Sequence, residues 1–331
     1  MNAQTSNGVN ILIASAGREV PLIKEFKKAL KSSGGKIIAF DINPLSAGFQ
    51  FSDISYIVPR YKEASFIPSV LAICKKHRIS LLIPTKDAEL PIFAKARKRF
   101  EKIGVRIMVA SLKTINICWD KSKFIDFCIS HGFSAPKTYD RRNKKTNYRF
   151  PLFINNRFGL GSRHAYKIHN RNELNFFLKY VPTPLVQEYV DWKEYTIDLF
   201  ADFNGRIISV VPRERISIFG GESFVGKTYK NTTLIRGVIK LAEALHLIGH
   251  NTIQCFFDGK NIKFIEVNPR YGGGSPLSFA SGVSTPAYLV RLVRGQKVPS
   301  RIGAFKDNLV MLRYTQDIYK DAKSITWKKI K

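Results

Sequence analysis

Glu266 and Asn268 lie two residues apart in the run Phe264-Ile265-Glu266-Val267-Asn268-Pro269-Arg270. Side chains alternate along a strand, so both point to one face. Gln254 belongs to the preceding strand of the same expected hairpin and sits across from them. One carboxylate and two amide oxygens make a hard-oxygen site of the kind Mg²⁺ takes together with phosphate oxygens and water. Arg270, just past the strand, suits bidentate capture of an anion. Gly272-Gly273-Gly274 then lets backbone N–H groups approach a substrate oxyanion. The same stretch also reads as a buried polar strand end followed by a glycine turn.

Three further clusters carry potential chemistry. Arg157-Phe158-Gly159-Leu160-Gly161-Ser162-Arg163 lies between two expected strands and suits a phosphate-covering loop, although most paired glycines are ordinary turns. In Gln187-Glu188-Tyr189-Val190-Asp191-Trp192-Lys193-Glu194, a strand can offer its backbone to an adenine edge and Glu194 to ribose hydroxyls. An edge strand with exposed charges is the plainer reading. Arg213 and Arg215 share a strand face, which favours contact with phosphate or a substrate carboxylate. A salt bridge to Glu214 or Glu222 is the alternative.

The elements that must position these residues follow from hydrophobic periodicity. Val9 to Ala14 is a short apolar strand, and Leu22, Ile23, Phe26 and Leu30 recur at helical spacing. Lys36 to Phe40 is the next strand. Similar units continue through Val105 to Val109, which predicts a doubly wound parallel α/β domain over 1–110. From 111 the texture changes to short, hairpin-like strands with one helix over Leu234 to Leu247. An α+β domain is expected over 111–305, with a small lobe at about 111–185 and a large lobe at about 186–305. The last segment, 306–331, is expected to pack on the large lobe or to be partly free.

Composition narrows the classes. Of 331 residues, 44% are hydrophobic and 12% aromatic, enough to build cores and to exclude a disordered chain. Lys and Arg number 54 against 25 Asp and Glu, a net charge of +29 that favours anionic partners. The charge is spread over many segments without interleaved aromatic and basic motifs, so no specific nucleic-acid site is expected. Four separate cysteines and six histidines show no ligand spacing. A polar N-terminus and no membrane-length apolar run predict a soluble, cytoplasmic protein without a membrane partner.

Taken in order, these motifs resemble the ATP-grasp superfamily over nearly the whole chain. The likeness is greatest to stand-alone proteins similar to the carbamoyl phosphate synthetase large subunit, of the carboxylate–amine ligase type. Ile13-Ala14-Ser15-Ala16-Gly17-Arg18, Asp41 to Leu45, and Ile83-Pro84-Thr85-Lys86-Asp87-Ala88-Glu89-Leu90 resemble the pre-ATP-grasp domain of that family. Trp119-Asp120-Lys121, Trp192-Lys193-Glu194-Tyr195 and Glu266-Val267-Asn268-Pro269-Arg270 resemble its ATP-grasp motifs. The resemblance implies two lobes that clamp ATP. Lys121 would approach the phosphates, beneath a loop carrying Arg157, Gly159, Gly161 and Ser162. Glu188 and the Val190 backbone would lie at the adenine, with Glu194 on the ribose. Gln254, Glu266 and Asn268 would hold Mg²⁺, with Mn²⁺ as an alternative ion. Arg270, with Arg213 or Arg215, would steady the transferred phosphate or the carboxylate. The implied reaction makes an acyl phosphate and joins it to an amine or thiol; the substrates would be small molecules and a homodimer is the default assembly. One departure stands out: Asn155 occupies the strand position where the family carries Lys or Arg. It motivates an alternative, a degenerate member that binds nucleotide without ligation. A basic nucleic-acid-binding protein is the second alternative.

Overall fold

The computed structural model describes residues 8–140, 147–159 and 164–329. The chain begins with β1 (Asn10–Ile13), α1 (Val20–Leu30), β2 (Ile37–Asp41), β3 (Ile54–Ile57), α2 (Phe66–Lys76), β4 (Ile79–Ile83), α3 (Leu90–Glu101) and β5 (Arg106–Ile107). Their strands form a parallel sheet with order β3-β2-β1-β4-β5. Parallel strands covered on both faces read as continuous apolar runs, and Ile11, Leu12 and Ile13 are all fully buried. Leu12, Ile38 and Leu82 face the core under α2 and α3, while Ile11, Ile13, Leu81 and Ile83 face α1. The expected doubly wound domain is therefore present.

Next come α4 (Leu112–Trp119) and α5 (Lys121–Ser130), followed by β6 (Thr138–Tyr139), β7 (Leu152–Asn156), β8 (Tyr166–Ile168), α6 (Arg171–Tyr180) and β9 (Pro184–Glu188). The strands β6-β9-β7-β8 make a small antiparallel sheet with its own core of Leu152, Ile154, Ile168, Leu174, Val181 and Val186. This small lobe starts later than the expected boundary at 111. Cys118, Phe124 and Cys128 of the two preceding helices belong to the core of the large lobe instead. It also ends slightly later, because β9 reaches Glu188.

The large lobe contains β10 (Lys193–Ala201), β11 (Ile207–Phe219), β12 (Glu222–Thr228), α7 (Thr232–Ala244), β13 (Gly249–Phe257), β14 (Ile262–Asn268), α8 (Ser275–Ala280), α9 (Thr285–Val293) and β15 (Val310–Leu312). Its strands run β14-β13-β10-β11-β12-β15, all antiparallel. Gly220 and Gly221, with φ of 58° and 79°, form the tight turn between β11 and β12. The last strand, β16 (Lys328–Lys329), leaves this lobe and adds in parallel to β3 of the first sheet. The C-terminal segment thus packs on the large lobe through β15 and ends on the N-terminal domain. Among the described residues no helix is long and apolar enough to cross a membrane.

One apolar cluster joins α1 of the first domain to the large-lobe core, with Phe26 edge-on to Tyr271 at 6.1 Å between ring centroids. The first domain and the large lobe therefore form one body, over which the small lobe is a separate cap.

Candidate active site

Strand alternation and hairpin register bring Gln254, Glu266 and Asn268 together. Gln254 on β13 is registered with Glu266 on β14, and Asn268 Nδ2 donates to Glu266 Oε1 at 3.0 Å. The Gln254 amide donates to the same oxygen at 2.9 Å, and its own oxygen accepts from Arg215 Nη1 at 3.1 Å. Burial opposes the charge of Glu266. Lys121, Asn268 and Arg270 nevertheless hold its carboxyl below the ordinary range. Lys121 Nζ lies 3.3 Å from Glu266 Oε2 and donates to the Gly159 carbonyl at 3.4 Å. It therefore bridges the metal-type carboxylate and the start of the glycine loop. Gly161 and Ser162 lie outside the described residues.

Three observations test the fit to a divalent cation. Glu266 is kept ionised in a site that is only about one-fifth open to solvent, its side chain being 21% exposed. A cation, the Lys121 ammonium, already stands beside it. Two amides share the same face, and an amide presents its oxygen after a half-turn. Among the described residues no three His, Cys, Asp or Glu converge. The remaining set, one carboxylate and two amides, fits Mg²⁺ completed by phosphate oxygens and water.

Glu194 shares this face of the sheet. Its carboxylate pairs with Arg215 Nε at 3.1 Å, and Arg215 also donates to Thr196 Oγ1 at 3.1 Å and to the Gly221 carbonyl at 3.0 Å. Burial raises the Glu194 pKa, with Arg215 opposing and Glu266 reinforcing the shift. Arg215 thus faces Glu194 and Gln254, rather than the Glu214 or Glu222 considered from sequence.

Arg213 requires a correction. It is 1% exposed, and its Nε and Nη2 donate to Asp198 at 2.9 and 3.0 Å. Ser278 Oγ donates to the same carboxylate at 2.5 Å, and His250 stands 3.5 Å away. Arg213 lies buried beneath Gly274 and is paired with Asp198 rather than presented at the open face, with its Nη1 left without a partner.

Arg157, expected at the phosphates, is paired with Asp120. Asp120 caps α5, accepting from Ser122 N and Lys123 N. Its two oxygens hold Arg157 Nε and Nη2 at 2.6 and 2.7 Å. This ion pair fastens the end of β7 to the start of α5. Asn155, the departure on β7, is buried and donates through Nδ2 to Gln187 Oε1 at 3.2 Å.

Glu188 Oε1 accepts from Lys263 Nζ at 2.5 Å and from Lys137 N at 2.9 Å. It ties β9 of the small lobe to β14 of the large lobe. Val190 is nearly buried, and the Trp192 ring takes the Lys263 ammonium at 5.0 Å. Arg270 does reach the cleft, but its Nε and Nη2 meet Asp87 Oδ2 of the first domain at 2.6 and 2.5 Å. Asp87 was given no role from sequence. The only signal was its place just after β4, where parallel sheets carry ligand loops. A crevice lined by Asp87, Trp119, Lys121, Gly159, Glu266 and Asn268 joins these parts.

Comparisons with known proteins agree with this arrangement. The family model described as "PylC-like, N-terminal domain" matches residues 11–108. The model described as "ATP-grasp in the biosynthetic pathway with Ter operon" matches residues 180–316. The carbamoyl phosphate synthase large chain of Thermoplasma volcanium is 25% identical over 281 residues, covering 76% of this chain and 26% of that relative. The corresponding chain of Clostridium acetobutylicum is 23% identical over 316 residues, covering 89% and 28%. This chain therefore spans only about a quarter of the length of those relatives. Among solved structures, the biotin carboxylase–β-γ-ATP complex from Campylobacter jejuni has a TM-score of 0.73 at 18% identity, covering 93% of this chain and 75% of that one. N5-carboxyaminoimidazole synthetase from Staphylococcus aureus, complexed with ADP, has a TM-score of 0.69 at 17% identity, covering 88% and 79%. The parallel first domain and the two antiparallel lobes thus carry both family matches, a PylC-like N-terminal domain followed by an ATP-grasp domain.

Proposed function

We propose that the protein is an ATP- and Mg²⁺-dependent ligase that activates a small carboxylate and joins it to an amine. The observation that carries this reading is the convergence of Gln254, Glu266 and Asn268 with Lys121 at the end of β14. The curated relatives named carbamoyl phosphate synthase and the solved structures named as a carboxylase and a synthetase support the same chemistry.

In the first step a carboxylate oxygen attacks the γ-phosphorus, and the bond from that phosphorus to the β–γ bridging oxygen breaks. ADP leaves and an acyl phosphate remains. The amine nitrogen then attacks the acyl carbon, inorganic phosphate departs with the C–O bonding pair, and the nitrogen loses a proton. Such phosphoryl transfer depends on positioning and charge neutralisation more than on a base. Glu266, Asn268 and Gln254 would hold Mg²⁺, which when bound supplies countercharge to the phosphates. Lys121 moves from Glu266 toward phosphate oxygens, and Arg215 orients Glu194 for the ribose. Glu188 and the Val190 backbone line the adenine end. Arg270, oriented by Asp87, steadies the carboxylate or the transferred phosphoryl group.

The test follows ADP release from the purified chain with ATP, Mg²⁺ and panels of carboxylates and amines. Turnover and MgATP binding in the wild type, both lost in a folded Glu266→Ala variant, are the expected result. Turnover that survives Glu266→Ala overturns the metal assignment.

A second reading is a protein that binds nucleotide without ligation. It is favoured by the neutral Asn155–Gln187 pair and by the neutralised Arg157, which leave β7 without a free cation among the described residues. Tight MgATP binding with no ADP release under any panel selects it. A homodimer and a cytoplasmic location remain part of the proposal.

A further inference from the structure

The sheet of the first domain reverses its strand order at β1 and β4, and ligands of open parallel sheets bind outside the strand ends at such a point. The loops that leave these strands carry Ser15 and Glu19 on one side and Lys86, Asp87 and Glu89 on the other. The Arg270–Asp87 ion pair places the loop after β4 beside the large-lobe site.

Among the described residues, two carboxylates on these loops have no cation paired with them. Glu89 is 4% exposed; its Oε1 accepts from Ser15 Oγ, while Oε2 has no hydrogen-bond partner. Glu19 precedes α1 without capping it, and among the described residues its carboxylate makes no hydrogen bond or ion pair. Glu222 arrives from the large lobe, lies against Gly273 and is shared with Arg313 at 2.5 Å. Unpaired carboxylates are unexpected here, because the chain has 54 Lys and Arg against 25 Asp and Glu. Cationic partners are plentiful, yet none is supplied to Glu19 or to the free oxygen of Glu89.

We propose that the amine substrate is a basic alkyl amine that enters as its ammonium ion and is held by Glu19, with Glu222 and Glu89 completing the acidic lining; the ammonium passes one proton to the Glu19 carboxylate before its freed nitrogen lone pair attacks the acyl carbon. This rests on the ligase reading and specifies its second substrate. It disfavours weakly basic nitrogen donors such as aryl amines, which carry no charge at neutral pH. The nearby cations leave room for the ammonium. Arg270 is committed to Asp87, while Arg18 and Lys86 are exposed and screened.

Electrostatics support the placement. Burial pushes the Glu19 carboxyl up to about 7. Arg270, Arg18 and Lys86 oppose that shift and Glu222 reinforces it. An ammonium ligand supplies the missing countercharge. A protein of net charge +29 repels small cations in general, so saturable binding of one requires a local acidic site.

The test titrates the full chain with 1,4-diaminobutane, using 1,4-butanediol and aniline as neutral controls, at constant ionic strength and with and without MgATP. Saturable binding of the diamine alone is expected, weakened about tenfold or more in Glu19→Gln and partly recovered in Glu19→Asp. Affinity rises between about pH 6 and about pH 8 as Glu19 ionises, and this slope flattens in Glu19→Gln. The melting temperature without ligand is the fold control. Absent diamine binding, equal binding of the neutral controls, or binding unchanged in both Glu19→Gln and Glu89→Gln overturns the ammonium site. MgATP binding in the same samples separates the two proposals: if the wild type binds no MgATP, the ligase reading fails whatever the diamine does.

Discussion

Arg213 and Arg215 stand two residues apart on β11, and each meets a carboxylate of β10, yet the two halves of that surface have become different things. Over Arg213 and Asp198 lie Gly274, Ser275 and Ser278. Over Glu194 there is no such cover: its side chain remains 26% exposed, although that of its partner Arg215 is only 5% exposed. Asp198 is surrounded by Arg213, His250, Ser275 and Ser278, whereas Glu194 has one ion pair. A sheet face becomes structural where an element closes it and chemical where it stays open. The charge pattern of the strand is the same in both halves.

The largest expected effect breaks the closed half. Removing one partner from a buried pair leaves the other charge uncompensated, which costs about 3–5 kcal/mol. Asp198→Ala therefore loses that much unfolding free energy in a urea titration, whereas Glu194→Ala loses clearly less, because Arg215 keeps Thr196 Oγ1 and the Gly221 carbonyl as acceptors and the vacated side opens to water. Equal losses in the two variants would erase the distinction. The pair also survives mild acid. Burial opposes the Asp198 charge, but Arg213 and His250 hold its carboxyl far below the usual range. Its contribution is present above the unfolded value of 3.8 and is lost only as pH falls toward the lower folded value.

The open half was the more legible one. Glu266 and Asn268 share a face because they are two apart on a strand, and Gln254 joins them through a short hairpin turn at Asp258-Gly259. These are local relations, readable from spacing alone. What closes Arg213 is not local: Ser275 and Ser278 come from about 60 to 65 residues downstream and reach it only through the packing of α8. The same holds for Arg270 and Asp87, whose separation spans two domains. The first-domain sheet was visible as repeated apolar runs, but β16 was not. Its Lys328 and Lys329 have no strand pattern, and only the open edge of β3 makes a strand of them.

A third buried carboxylate sharpens the rule that partners decide the sign of a shift. Glu89 has one hydrogen bond where Asp198 has several. Burial therefore dominates and pushes its carboxyl up to about 7, with Ser15 and Lys86 opposing and Asp41 reinforcing. A raised folded value means stability that is complete below the unfolded value of 4.5 and lost as pH rises through about 7. Glu89→Gln removes that loss. At about pH 8 the variant is more stable than wild type by about 3 kcal/mol, and the two converge below about pH 4. Parallel stability curves would show that an unseen partner satisfies Glu89.

The next effect is in binding rather than stability. Glu194→Ala leaves the fold intact but removes the acceptor proposed for the ribose, so MgATP binds about tenfold more weakly by calorimetry. Unchanged affinity would make the Arg215–Glu194 pair as structural as the closed one.

The smallest effect probes the small lobe, where β7 (Leu152–Asn156) carries no cation whereas β11 carries two. Leu152 and Ile154 point into the small-lobe core, so alternation turns Asn155 to the opposite face, where its Nδ2 meets Gln187. Its Oδ1 has no partner, so the position is only half satisfied as it stands. Asn155→Lys places a charge there. Burying an ammonium is unfavourable until an anion arrives, so the free variant melts slightly below wild type. MgATP then supplies that anion, and its affinity rises a few-fold at low salt, with the gain shrinking as salt is added. A parallel rise in ADP release would mean that the missing strand cation limits turnover. Tighter binding without faster release would place the limit elsewhere, in a site that binds nucleotide and does not ligate.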